Sequence, residues 1–560
     1  MDFATLDAPL AHWASQFPNR IALDDGTRQL TFAALHRAVS ARAAYLRDIA
    51  APQHVWLDAA LWADAPETDA QTALARDPAD SEAGGTAAAA ASHDDPIARL
   101  RDFLAIIHSG RAAAVADDDW PQAVRGRLAD ALADTPSTLA APSPLTPFYV
   151  GFTSGSTGLP KGFRRHHRSW VESLRAALDA FGPGAQSRVF CPGRLSHSLF
   201  LFGALQGLWT GAGVVLQPRF SAARALQTLR DGEHCVVAVP SQLALMLDVA
   251  ARRKLAPLEG VTLVMISGAR WMRERTPALR ALFPNARIIE FYGASETSFV
   301  AWTDADDALP GAVVGRPFAT VDLRIAPLQP PSTDGAGLIF VRSPMLFNDY
   351  VYAAAAGTID DTAAVRETGD AQGDWLSVRD VGYLDDVGRL CLIGRAKRML
   401  VTQGKNLFPE EVEAVLRAHP WVDDASVHGV PDAIRGRALV AAVRWRQNAG
   451  PSDNALMDET IGAAIADGDT DLPPSAAELA RWCRARLEPY KTPRRFFVCT
   501  DNTAWPCTTS GKTDHPTLAA RLDRACAAQA AIAAQASAGS QRSTETIEPA
   551  DPASDSLRPL

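Results

Sequence analysis

Residues 149–162 read Tyr-Val-Gly-Phe-Thr-Ser-Gly-Ser-Thr-Gly-Leu-Pro-Lys-Gly. Four hydroxyl side chains, Thr153, Ser154, Ser156 and Thr157, are spaced by Gly155 and Gly158, and Pro160, Lys161 and Gly162 close the stretch. Glycines let backbone N–H groups turn toward a polyanion, hydroxyls add donors, and one lysine adds a point charge. The stretch is therefore a candidate phosphate cradle. A solvent-exposed Gly/Ser turn has the same composition. Residue order disfavours one alternative: a P-loop needs Gly-Lys-Ser/Thr opening a helix, and here the lysine sits in Pro-Lys-Gly.

The order Thr-Ser-Gly-Ser-Thr-Gly-x-Pro-Lys-Gly resembles the signature loop of the adenylate-forming superfamily. That superfamily comprises acyl- and aryl-CoA synthetases, adenylation domains of peptide synthetases and luciferases. The resemblance implies ATP, Mg2+, a small-molecule carboxylic acid, and CoA as acyl acceptor. In that chemistry the carboxylate attacks the α-phosphate, pyrophosphate leaves, and charge develops on the phosphoryl oxygens. The site then needs Mg2+, cationic donors, an adenine slot and a ribose anchor.

Each can be nominated by resemblance. Tyr292-Gly293-Ala294-Ser295-Glu296-Thr297 matches the Gly-x-Ser/Thr-Glu motif. It implies Glu296 near Mg2+ with Thr157 as a second ligand, Ser295 at the α-phosphate, and Tyr292 and Gly293 beside the adenine. Gly268 and Ala269 form the other wall. A hard carboxylate that leaves room for phosphate oxygens and water suits Mg2+. Asp380, in Arg379-Asp380-Val381-Gly382-Tyr383, resembles the aspartate that accepts both ribose hydroxyls, and Arg395 matches the arginine that follows it. Relatives commonly carry glycine where Arg379 stands. Lys512, in Ser510-Gly511-Lys512-Thr513, matches the C-terminal catalytic lysine, a flexible charge for the carboxylate and α-phosphate. Residues 403–413, with Gly404 and Lys405, resemble the loop that lines the pantetheine tunnel once the small domain rotates. The pivot would be Arg398, where relatives carry Asp or Lys. His197 is either the gate near the substrate carboxylate or a packed histidine.

These residues need elements to hold them. Between 188 and 345, β-rich runs at 235–239, 262–266 and 287–291 alternate with helical patterns at 241–251 and 273–282. This predicts βαβ units and largely parallel sheets, with ligands at the carboxyl ends of strands. Residues 311–344 and 377–398 read as a β-rich subdomain. The fold class is therefore α/β: a large N-terminal domain over 1–398 and a small mobile α/β C-terminal domain over 399–520. In the latter, helices are expected at 409–418 and 476–487 and strands at 425–430, 439–445 and 495–498. Helical spacing also marks 97–107. Residues 63–95 and 448–474 read as polar insertions, the first disordered, and 523–560 as a disordered tail. Arg164-Arg165-His166-His167-Arg168 either holds an anion or is a solvated basic helix start.

The chain has 560 residues, 47% of them hydrophobic, and a net charge of −9, which argues against a nucleic-acid partner. Seven scattered cysteines without CxxC pairing, and no signal-like N-terminus, point to a cytoplasmic protein. Residues 195–218 carry no acidic or basic residue apart from His197. Gln206, Thr210 and a glycine turn make them a buried helix followed by a strand at 214–216 rather than a membrane insertion.

Three readings follow. The first is an AMP-forming acid–thiol ligase passing a fatty or aryl acyl group to CoA, nearest the fatty-acid and succinylbenzoate ligases. The second is a stand-alone adenylating enzyme loading an acyl carrier protein. The third is an inactive nucleotide-binding protein, against which Lys161, Glu296, Asp380, Arg395 and Lys512 all stand in motif context. Arg194 and Arg270 either bind a second carboxylate or face solvent. Lys512→Ala is expected to abolish most acid-dependent pyrophosphate release while ATP binding, read by calorimetry, stays near that of the parent.

Overall fold

Apolar runs bounded by turn residues build a parallel sheet because both of its faces must be covered. In the computed structural model, strands Val214–Leu216, Arg188–Cys191, His234–Ala238, Val261–Ile266 and Arg287–Ala294 lie side by side in that order, all parallel. His234–Ala238 is buried at every position. The structure describes residues 3–57, 62, 74–75, 95–117, 120–132, 139–153, 160–328, 335–351, 364–370, 373–402, 405–432, 436–446, 473–499, 504–507, 512–538 and 557–560. The chain divides into two units, Met1–Ala326 with Gly337–Leu392, and Pro327–Ala336 with Ile393–Leu560. By this division the boundary falls at 392/393, six residues before the expected one.

In the larger unit, helices Ser198–Trp209, Pro240–Arg253 and Thr276–Leu282 connect the parallel strands. Their carboxyl ends, at Cys191, Ala238, Ile266 and Ala294, open into the segments that carry His197, Gly268 and Glu296. Beyond Arg287–Ala294 the pairing turns antiparallel through Ser298–Asp304, Val313–Pro317 and Leu390–Arg395, and continues into the β-rich part. Helix Ser198–Trp209 is buried from Phe200 to Trp209, and Gln206 Nε2 donates to the Ala185 carbonyl at 2.9 Å. Among the described residues no helix is long and apolar enough to cross a membrane.

A second sheet joins Asp349–Tyr350, Lys161–His166, Pro147–Thr153, Ala112–Ala114 and His54–Trp56 in that order. Lys161–His166 pairs antiparallel with Pro147–Thr153, and helix His167–Phe181 follows. The basic run at 164–168 is therefore not a solvated helix start. Arg165 is 1% exposed and His167 0%, while Arg164 pairs with Asp349 and only Arg168 is exposed. Strand alternation aims residues 163 and 165 inward, a period-2 signal that the charges conceal.

The smaller unit is a four-stranded sheet, Val422–Asp432, Gly436–Trp445, Arg495–Cys499 and Leu557–Pro559, with helices Pro409–Arg417, Ala476–Arg484 and His515–Ala538. The tail corrects its expectation. Residues 523–538 continue a helix, as an alanine-rich stretch without glycine or proline can. Leu557–Pro559 pairs antiparallel with Arg495–Cys499, and Leu557 is buried with Trp505, Leu518 and Leu522. Most of the two expected insertions and residues 539–556 lie outside the described residues. Within the first insertion, Leu74–Ala75 forms a strand against Arg28–Thr31.

His167 Nδ1 accepts the Leu6 N–H at 3.1 Å, which requires a neutral ring. Burial, first of all, holds its pKa down at about 4, below the ordinary histidine value. The unfolded chain therefore binds the proton that the fold refuses, and stability is lost as pH falls from about 6.5 to about 4. Full loss would cost roughly 3 kcal/mol. The thermal midpoint should fall across that window, and His167→Gln, which keeps an acceptor that does not titrate, should flatten the fall.

Candidate active site

The site in the larger unit is built from two hairpins. In the first, Thr153 is the Cα partner of Lys161. Ser154, Gly155, Ser156, Thr157 and Gly158 connect the two and lie outside the described residues. In the second, Arg287–Ala294 folds onto Ser298–Asp304, and a Cβ on Gly293 would meet the Ser298 carbonyl oxygen at 1.9 Å. Glycine is thus the residue this close approach permits. The tip carries Ser295, Glu296 and Thr297, and Thr297 Oγ1 accepts the Ala294 N–H at 3.1 Å.

Glu296 does not stand alone. Its Oε1 accepts from the Tyr350 hydroxyl at 2.9 Å, and its backbone carbonyl accepts from the Phe347 N–H at 2.8 Å. Tyr350 is placed by the Asp349–Tyr350 strand, which pairs with Arg164 and Phe163 and is locked by an Arg164–Asp349 fork at 3.0 and 2.7 Å. Lys161 Nζ lies 5.9 Å from the centre of the Tyr350 ring. Lys161 and Glu296, distant in sequence, therefore share one tyrosine. No motif marks Tyr350. Only the pairing of residues 349–350 with 163–164 puts it there.

Asp380 is 3% exposed, and its Oδ2 accepts from the Tyr292 hydroxyl at 2.5 Å. The residues expected at ribose and adenine are thus bonded to each other. Arg379 has φ +63°, the left-handed conformation that explains the glycine expected at that place. Ser267 Oγ donates to the Phe291 carbonyl at 2.9 Å, tying the Gly268–Ala269 turn to the Tyr292 strand. Gly268, at φ +85°, and Ala269 are exposed. His197 precedes helix Ser198–Trp209 with its ring edge-on to Phe200 at 6.1 Å. Arg194 pairs with Asp117 at 3.2 Å and Arg270 donates to the Leu392 carbonyl at 3.4 Å.

In the smaller unit, Lys512 lies close enough to Arg395 to feel its charge. Desolvation first, and the Arg395 charge second, lower the Lys512 pKa from the usual lysine value. The residue is exposed, so water screens much of this effect. Thr513, the next residue, accepts from Trp505 Nε1 at 3.1 Å and donates to Asp424 Oδ2. Arg398, expected as the pivot, is ion-paired with Glu413 at 2.5 Å and Glu410 at 3.3 Å. Lys405 begins the strand Lys405–Leu407, and Gly404 lies outside the described residues.

A family model described as AMP-binding enzyme matches residues 66–351, and one described as AMP-binding enzyme C-terminal domain matches residues 411–512. The chain belongs to the AMP-binding enzyme family. This AMP-binding enzyme is 35% identical over 394 residues to an uncharacterized acyl-CoA ligase, YhfT, of Bacillus subtilis, spanning 69% of this chain and 71% of that one. It is 30% identical over 382 residues to a chloroplastic/peroxisomal 2-succinylbenzoate–CoA ligase of Arabidopsis thaliana, 65% of each chain. The fold matches o-succinylbenzoate CoA synthetase of Bacillus subtilis, solved with its acyl-adenylate intermediate, at TM-score 0.66 and 20% identity. That match covers 91% of this chain and 97% of that one. An amide bond synthetase from Marinactinospora thermotolerans matches at TM-score 0.67 and 20% identity, over 92% and 99%.

Mg2+ fits what Glu296 offers. Among the described residues no group of three His, Cys, Asp or Glu could hold a metal ion by itself. Glu296 has one oxygen engaged by Tyr350 and the other without a hydrogen bond among the described residues. One hard oxygen, completed by phosphate oxygens and water, is a usual Mg2+ arrangement. Tyr350→Phe removes the bond that orients this carboxylate. It should lower kcat/KM for ATP in pyrophosphate release by about tenfold, the value of one hydrogen bond to a charged group, with little change in thermal midpoint.

Proposed function

We propose that this AMP-binding enzyme is an ATP-dependent acid–thiol ligase that adenylates a fatty or aryl carboxylic acid and transfers the acyl group to CoA. The observation that carries the reading is the Lys161–Tyr350–Glu296 cluster, in which Glu296 follows the carboxyl end of Arg287–Ala294 and Lys161 comes shortly after the Gly/Ser/Thr stretch in sequence. The ligase names of the relatives from Bacillus subtilis and Arabidopsis thaliana support a thiol acceptor.

In the first step a carboxylate oxygen attacks the α-phosphorus, the bond from that phosphorus to the oxygen bridging to the β-phosphate breaks, and pyrophosphate leaves. Lys161 places a positive charge on the polyphosphate, and residues 153–158 add hydroxyl and backbone donors. Glu296 and Thr157 would hold Mg2+, which, when bound, supplies charge neutralisation on the phosphate oxygens. Asp380 accepts from the ribose hydroxyls, with Tyr292 and Gly293 on one side of the adenine and Gly268 and Ala269 on the other. Lys512 would neutralise charge between the carboxylate and the α-phosphate, and Arg395 would add a second positive charge. In the second step the CoA sulfur attacks the acyl carbon, the acyl C–O bond breaks, and AMP leaves with the oxygen that came from the acid. His197 gates the carboxylate, and Gly404 and Lys405 line the pantetheine path. All seven cysteines are free thiols, in keeping with a reducing cytoplasm.

The test uses the full chain with ATP and Mg2+ and a panel of short, medium, long-chain and aromatic acids. Acid-dependent pyrophosphate release, followed by acyl-CoA formation from free CoA with one accepted acid, is the expected result. Absence of pyrophosphate release with every acid would sink the ligase reading. Release with transfer to carrier proteins and none to CoA would replace CoA by a carrier thiol.

A further inference from the structure

Arg165 lies inside the larger unit, at a position where strand alternation points it away from solvent. All of its hydrogen bonds among the described residues go to neutral oxygens. Nε donates to Ser169 Oγ at 3.3 Å, Nη1 to the Ser295 carbonyl at 2.5 Å, and Nη2 to the Met345 carbonyl. No carboxylate among the described residues comes within ion-pair distance of it. Tyr149, its Cα partner, is a buried phenol whose pKa burial pushes up to about 12, so it supplies no counter-charge. The Glu296 carboxylate acts on it electrostatically and favours its charged form, against the burial that opposes it. A guanidinium taken out of water without a paired anion is costly, and a fold that needed only packing there would be better served by an apolar side chain.

What the three bonds hold explains its place. Ser295 is the residue expected at the α-phosphate, and its carbonyl adjoins Glu296. Met345 starts the segment whose Phe347 N–H bonds the Glu296 carbonyl and whose Tyr350 bonds the Glu296 carboxylate. The guanidinium fork therefore spans the two segments that set the position of Glu296, one bond to each, in a fixed planar geometry that a lysine ammonium does not have.

We infer that Arg165 is a positioning residue for the phosphate and Mg2+ end of the site, clamping the Ser295–Glu296 tip to the 345–350 segment and lending it positive charge. The proposal rests on the ligase reading, so the parent is measured first: no acid-dependent pyrophosphate release in the parent sinks that reading. Given an active parent, Arg165→Gln, Arg165→Lys, Glu296→Gln and the double variants are compared. Folding is read by thermal midpoint, kcat and KM for ATP by pyrophosphate release, and ATP affinity by calorimetry with and without Mg2+.

Folded Arg165→Gln should lose about tenfold or more in kcat, and the gain in ATP affinity that Mg2+ brings should shrink. On the Glu296→Gln background the same substitution should add less than about threefold, because residues acting as a unit are not additive. Arg165→Lys should recover part of the loss through its charge. Unchanged kinetics in a folded Arg165→Gln, or a fold-change fully multiplicative with Glu296→Gln, would overturn the assignment. If Arg165→Gln does not fold, the same cycle is run with Arg165→Lys. Failure of both to fold would make Arg165 a purely structural residue and likewise overturn it.

Discussion

A carboxylate at the tip of a hairpin is free to rotate unless something outside the hairpin holds it, and here that something is the Tyr350 hydroxyl on Glu296 Oε1. Ordering such a side chain before substrate arrives removes an entropy cost from the binding step. The bond depends on a chain of local features. Gly293 lets the hairpin close, the Arg164–Asp349 fork fixes the short edge strand, and Lys161 ends the facing hairpin under the same tyrosine ring. The parallel sheet contributes by stopping its strands at one edge, so that the Gly268 and Glu296 segments emerge side by side.

Charge is distributed unevenly around that bond. In the larger unit, Lys161 shares Tyr350 with Glu296, and the Glu296 charge acts on Arg165. In the smaller unit, Lys512 and Arg395 are close enough to depress the lysine pKa. Neighbouring cations repel, and a bound polyanion relieves that repulsion. In the proposed reaction a triphosphate would supply such a charge.

Much of this was legible in the sequence because the signals were periodic. The buried helix and the strand at 214–216 followed from an apolar run punctuated by glycine, and the strands at 235, 262 and 287 from short β-branched runs. Arg379, standing where relatives commonly carry glycine, sits at positive φ, a strain that the departure alone did not announce. Three features were illegible for stated reasons. Arg165 and His167 looked solvated because charge masks strand alternation. The tail looked disordered because alanine-rich sequence lacks large apolar residues, yet it suits a helix. Tyr350 carries no motif, since its role arises from a tertiary pairing.

The central claim is that a carboxylate oxygen of the substrate bonds to the α-phosphorus of ATP. The most direct measurement incubates the full chain with ATP, Mg2+, CoA and an accepted acid labelled with 18O in both carboxylate oxygens, and reads the products by mass spectrometry. The account predicts one labelled oxygen in each AMP released and none in pyrophosphate. Label appearing in inorganic phosphate with ADP as the nucleotide product, or AMP released without label, would contradict it.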